Sequence, residues 1–157
     1  MQTLSHYKDN NYTNKILYRR HYNIRWSDGS ISRNLSQAEL LSKIAAMPDN
    51  CILDMAIFGH GNVNIQTTSF YTKEGSDGLK VSDGHVVFYT AGQRLHRHQV
   101  TFTSILGKKL APGATIGLYG CYTGTKGGIA EQLNKDTKKE PLSAQMGGLD
   151  PLVIIFG

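Results

Sequence analysis

The sequence predicts an α/β fold, and three observations carry that reading. Two apolar runs, Cys51-Ile52-Leu53-Asp54-Met55-Ala56-Ile57-Phe58 and Ala114-Thr115-Ile116-Gly117-Leu118-Tyr119-Gly120, lack the period-two alternation of half-exposed strands. Strands covered on both faces read this way. Each run follows a segment of helical periodicity, so the two are expected to be parallel neighbours in a mostly parallel central sheet. At 157 residues the chain is read as one domain, large enough to bury a core without metal or disulfide staples.

The elements follow in order. Residues 1–14 are polar and are expected to form an irregular arm. From Ile16 to Trp26 aromatic and β-branched residues alternate with Arg and His, predicting a strand that ends at the Ser27-Asp28-Gly29-Ser30 turn. Ser36 followed by Glu39 is a capping box, and Leu40, Leu41, Ile44 and Ala45 form one apolar face, so a helix runs to Met47-Pro48. The first buried strand then closes at Gly59-His60-Gly61-Asn62. Residues 63–95 carry the turn signals Gly75-Ser76-Asp77-Gly78 and Ser82-Asp83-Gly84 around short β-prone runs such as Val86-Val87-Phe88-Tyr89, predicting one or two hairpins. Val100, Ile105, Leu106 and Leu110 have helical spacing, ending before Ala111-Pro112-Gly113. After the second buried strand, a glycine-bearing loop from Tyr122 to Gly128 leads to a short helix with Ile129, Ala130 and Leu133 on one side. A Gly147-Gly148 turn and the apolar run Pro151 to Phe156 close the chain.

Composition narrows the function classes. Lys+Arg 17 against Asp+Glu 12 gives a net charge of +5, mildly basic and short of the concentrated stripe of a dedicated nucleic-acid binder. No run of roughly eighteen apolar residues exists, so neither a spanning helix nor a membrane partner is expected. Two cysteines, Cys51 and Cys121, do not make a disulfide scaffold, although a bond between them stays open. The first residues lack an apolar signal region, pointing to a cytoplasmic protein or one delivered by a leaderless secretion route. No cofactor and no metal is expected.

Both buried strands end alike, the first in Phe58-Gly59-His60-Gly61 and the second in Tyr119-Gly120-Cys121. Ligands of open parallel sheets sit at the carboxyl ends of strands, so neighbouring strands would bring His60 and Cys121 face to face. A free thiol is only slightly ionised at neutral pH and needs a nearby base. His60 can act as that base and then protonate an amine leaving group. Glycine at 61 and 120 lets a substrate backbone approach closely, and the backbone N–H groups of Gly61 and Cys121 could meet a developing oxyanion. Cys121 is also expected just before a helix, whose positive end favours an anion.

Leu53-Asp54-Met55-Ala56-Ile57-Phe58-Gly59-His60-Gly61 resembles the His motif of the caspase-like cysteine peptidases, the group of caspases, legumain, gingipains and clostripain. Leu118-Tyr119-Gly120-Cys121-Tyr122-Thr123-Gly124, followed by Lys126-Gly127-Gly128-Ile129-Ala130-Glu131-Gln132-Leu133, is similar to their Cys segment. It is closest to the caspase-like domain near the N-terminus of large bacterial surface proteins. The resemblance spans about residues 51–150. It implies a three-layer sandwich with a mostly parallel central sheet and a β-hairpin insertion after the His strand. It further implies a His60–Cys121 dyad that cleaves peptide bonds through a thioester, with protein or peptide substrates. Asp28 and Asp150 are the acidic candidates for substrate binding, and Asp54 reads as a strand-start residue. The chain is shorter than most such peptidases. A delivered toxin or an intracellular processing enzyme would suit its size.

Other readings are weaker. The loop Gly120 to Gly128 with Lys126 could hold an anion, but it lacks the spacing of a phosphate-binding loop. His85, His96 and His98 with Cys121 make a poor zinc set, because histidines two apart on a helix point to different faces. The non-enzymatic alternative is a binding module for an acidic partner or nucleic acid. Arg94 to Arg97, Lys108-Lys109 and Lys138-Lys139 would supply charge, and Tyr18, Tyr22 and Trp26 among Arg19, Arg20 and Arg25 would stack. Nucleic acid is the less expected partner.

Overall fold

A computed structural model describes residues 22–68, 77–90 and 100–139, together with the backbone of 152–155. The described residues form a mixed α/β structure of two sheets. The elements are β1 (Tyr22–Trp26), β2 (Ile31–Leu35), α1 (Gln37–Ile44), β3 (Ile52–Phe58), β4 (Gly61–Asn62), β5 (Ile65–Thr67), β6 (Gly78–Ser82), β7 (His85–Tyr89), α2 (Phe102–Leu106), β8 (Leu110–Tyr119), α3 (Ile129–Lys139) and β9 (Leu152–Ile155). The first sheet has the order β2-β1-β3-β8-β9, and the second is the meander β4-β5-β6-β7.

The mostly parallel sheet expected from sequence is corrected here. Strands β3, β8 and β9 are parallel, but β1 lies antiparallel to both β2 and β3. The second sheet is antiparallel throughout. Burial on both faces gave β3 its unbroken apolar pattern, and that pattern says nothing about the direction of its neighbours. Strand β2 was not anticipated. Its sequence, Ile-Ser-Arg-Asn-Leu, is polar and only partly buried, as befits an edge strand.

Local chemistry accounts for the elements. Ser36 and Glu39 form the expected capping box at α1. Asp83 and Gly84, both at positive φ, make the two-residue turn joining β6 to β7. The helical spacing around Ile105 is realised only as α2 and a following 3₁₀ turn. Leu110 already opens β8, which therefore starts earlier than the sequence pattern implied. Inside, Ile24, Met55, Ile57, Ile116 and Leu118 of the first sheet join one cluster with residues of all three helices and both long strands of the second sheet.

Two polar ties cross this core. Buried Gln37 accepts a hydrogen bond from the Tyr22 hydroxyl at 2.8 Å and donates to the Tyr89 carbonyl at 2.9 Å, fastening α1 to β1 and β7. Buried Asp136 of α3 accepts the Val86 N–H at 2.7 Å and the Gln132 amide at 2.8 Å. Asp136→Ala leaves the Val86 N–H without that acceptor, and denaturant unfolding should show a loss of about 1–3 kcal/mol.

Burial pushes the phenols of Tyr22, Tyr89 and Tyr119 above their ordinary range, Tyr89 to about 12, with the Asp77 carboxylate adding to the effect at Tyr22 and Tyr89. These groups hold their protons in the folded chain, whereas an unfolded chain ionises its tyrosines near pH 10. The stability they contribute is whole below about pH 10 and is lost as the pH rises beyond it. An alkaline titration should show the tyrosinate absorbance of Tyr22, Tyr89 and Tyr119 appearing together with loss of structure, rather than ahead of it.

Candidate active site

The parallel register of β3 and β8 pairs Ile57 with Leu118 and Phe58 with Tyr119. The rings of Phe58 and Tyr119 stack at 4.2 Å between centroids, locking the two strand ends together. Continuing both strands outward brings the His60-Gly61 and Gly120-Cys121 segments side by side. The backbones touch there: a Cβ built on Gly61 would lie 2.9 Å from the Gly120 Cα, and one built on Gly120 would lie 2.9 Å from the Gly61 Cα. Glycine at both positions is what permits the approach. The side chains of His60 and Cys121 are exposed at this junction.

Each loop is anchored through its main chain. The His60 carbonyl accepts from the Thr67 N–H at 2.8 Å and from the Thr67 hydroxyl at 2.7 Å. That bond makes His60–Thr67 a hydrogen-bonded pair of the β4–β5 ribbon, so the next pair, Gly61–Gln66, is a non-hydrogen-bonded one. The Gly61 N–H is thereby directed away from β5 and toward the Gly120 side. On the other loop, buried Thr123 donates its hydroxyl to the Gly120 carbonyl at 2.9 Å. Tyr122, directly after Cys121, has a left-handed backbone with φ 63 and is 70% exposed. A non-glycine residue in that region costs energy and commonly marks a functional turn.

The loops are also tied to each other. The Ile129 N–H donates to the Val63 carbonyl at 2.8 Å, and Gly128 packs so tightly that a Cβ there would lie 2.4 Å from the Val63 oxygen. Gln66, fully buried in β5, accepts the Gly120 N–H at 2.8 Å and donates to the Thr67 carbonyl at 2.8 Å. Gln66 was not singled out in the sequence, and Thr123 and Gly128 stood there only within the resembling Cys segment, with no role of their own. They sit in turn-rich stretches with no periodic pattern, and only the contact between the two strand ends reveals their roles.

Several expectations are placed elsewhere. The helix expected just after Cys121 begins at Ile129, and its Ala130 N–H donates to the Thr123 carbonyl at 3.3 Å. Asp28 lies in the β1–β2 turn, where its carboxylate accepts from the Ser30 N–H at 2.8 Å and the Ser30 hydroxyl at 2.6 Å. The Ser30 bonds hold its carboxyl below the usual range. Because Trp26 pairs with Ile52 at the start of β3, this turn is at the opposite end of the sheet from His60, and Asp28 does not share the site. Asp54 bridges Arg25 at 2.6 Å and accepts from the Thr115 hydroxyl, holding β1, β3 and β8 together mid-sheet. Asp150 lies outside the described residues.

The weaker readings are narrowed too. Cys51 is buried at the start of β3, far from exposed Cys121, and both thiols are free; burial pushes the Cys51 thiol up. The Gly127 N–H in the glycine loop already donates to the Glu131 carboxylate of α3, which uses a donor that an anion would need. Tyr22 and Trp26 are buried, with the Trp26 indole N–H donating to Ser32, so neither offers a face for base stacking. His85 pairs with Asp136 at 3.5 Å, and no metal-ligand cluster exists among the described residues. Tyr18, Arg19, Arg20, His96, His98 and the Arg94 to Arg97 stretch lie outside them.

Comparison with protein-family models, curated proteins and solved structures finds no match to this chain.

Proposed function

We propose that the chain is a cysteine endopeptidase of caspase-like architecture, acting through His60 and Cys121. The observation that supports this best is the contact of the Gly61 and Gly120 backbones at the ends of two parallel neighbouring strands, with an exposed imidazole on one loop and an exposed thiol on the other. In this reading the five-stranded sheet is the central layer of a three-layer sandwich, and the β4–β7 meander is the insertion that follows the His strand.

The chemistry runs in two halves. Cys121 gives its proton to His60, and its sulfur attacks the scissile carbonyl carbon. The carbonyl oxygen becomes an oxyanion received by the N–H groups of Gly61 and Cys121, the Gly61 N–H being directed away from β5 by the β4–β5 register. Collapse expels the amine, protonated by His60, and leaves a thioester on Cys121. His60 then takes a proton from water, whose hydroxide attacks the thioester and expels the carboxylic acid and the Cys121 thiolate, which takes the proton back from His60. The Gly120 N–H is already held by Gln66 and takes no part.

Cleavage of a diverse peptide library, read by mass spectrometry for wild type beside Cys121→Ala, tests the proposal. Cuts made by wild type alone support it and give the preferred side chain at the cleaved bond. No cuts, together with a Cys121 that alkylates no faster than an ordinary exposed thiol, would overturn it.

A further inference from the structure

We propose that Gln66 is a positioning residue for Cys121: by capturing the Gly120 N–H it fixes the Tyr119–Gly120 peptide, and with the Gly120 carbonyl held by Thr123 both peptides leading into Cys121 are set. The inference rests on the peptidase reading of the same site and adds a residue from the second sheet to it. Three observations converge on this side chain. It is fully buried in β5, although a glutamine is ordinarily exposed. Both ends of its amide are used, the oxygen by the Gly120 N–H and the nitrogen by the Thr67 carbonyl, each at 2.8 Å. Finally, its oxygen fills the space a side chain at 120 would need, lying 2.7 Å from a Cβ built on Gly120.

The arrangement has a chemical consequence. The Gly61 nitrogen lies 3.1 Å from a Cβ built on Gly120, so the two glycine backbones are side by side. Gln66 holds the Gly120 N–H, which is then not offered to a substrate carbonyl. Thr67 links the same side chain to the other loop, since its carbonyl accepts the Gln66 amide while its N–H and hydroxyl hold the His60 carbonyl. One buried amide therefore spans the backbone of the thiol loop and the residue that anchors the imidazole loop. Its geometry requires an acceptor facing Gly120 and a donor facing Thr67, which a glutamine provides and a methionine of similar shape does not.

The test compares Gln66→Met and Gln66→Glu with wild type. Readouts are the melting temperature, the alkylation rate of Cys121 by iodoacetamide, and kcat and KM for a peptide cut by wild type. Gln66→Met should lower kcat about tenfold or more with little change in KM, since misplacing a reacting group acts on the chemical step. It should also shift the alkylation rate several-fold. Gln66→Glu should recover toward wild type at acidic pH, where the neutral carboxyl offers one acceptor and one O–H donor. It should fail as the pH rises and the introduced carboxyl loses the proton that faces the Thr67 carbonyl. Wild-type alkylation and kcat in a folded Gln66→Met would overturn the proposal. If that variant does not fold, a Gln66→Glu protein whose pH profile matches wild type overturns it instead. A wild type that cuts no peptide defeats the peptidase reading alone, because the alkylation arm still decides whether Gln66 sets the geometry of Cys121.

Discussion

His60→Ala and Cys121→Ala should each abolish the proposed peptide cleavage, a loss on the order of 10⁴-fold or more, with the double variant no worse than either single one. The expectation follows from the division of labour at the junction of β3 and β8. Without the thiol there is no covalent intermediate, and without the imidazole there is no group to take the thiol proton or protonate the departing amine. Groups that act as one unit fail together, so their losses do not add. Both side chains are exposed. Thermal melting should therefore remain within a few degrees of wild type. A substantial residual rate in Cys121→Ala, with normal folding, would sink the thioester route.

The second large effect is steric. Gly120→Ala places a methyl group 2.7 Å from the Gln66 oxygen, 2.9 Å from the Gly61 Cα and 3.1 Å from the Gly61 nitrogen. Two of these neighbours are backbone and the third is a buried, doubly bonded amide, so none can swing aside. The loops must separate, at about 1–3 kcal/mol of stability for the overpacking. Cleavage should fall roughly a hundredfold, because the shift moves the reacting groups. Gly29→Ala is the matched control. Gly29 has φ +91 with open space around it, at the far end of the sheet, so alanine should cost about 1 kcal/mol of backbone strain and leave cleavage unchanged. Equal catalytic losses in the two variants would show that the Gly61–Gly120 contact has no special part in the reaction.

Much of this was legible in the sequence, for identifiable reasons. The capping box at Ser36, the Asp83-Gly84 turn and the apolar run ending at Phe58 are local signals, and each produced the element expected. What depends on partners across the sheet was not legible. Nothing in residues 22–35 states that β1 inserts antiparallel between β2 and β3. The polar edge strand β2 carries too little apolar periodicity to announce itself. The same division holds at the site. His60, Gly61, Gly120 and Cys121 stand out because they close two similar strands, whereas Gln66 acquires its role only when β5 folds back against the end of β8. Asp28 shows the converse: an acid attractive in sequence is turned into a turn-former at the wrong end of the sheet by two bonds to Ser30.

The parallel pairing of β3 with β8 also governs when the site can exist. The second sheet and α2 lie between these strands in the chain, so their pairing closes a long loop and belongs to the slow, non-local steps of folding. During synthesis the imidazole emerges first, followed by the whole meander, and only then the thiol. Under the proposed function, a nascent chain would therefore carry no assembled nucleophile while its own unfolded segments are most vulnerable to cutting. The order of the strands would then act as a timer, separating the birth of the protein from the onset of that reactivity.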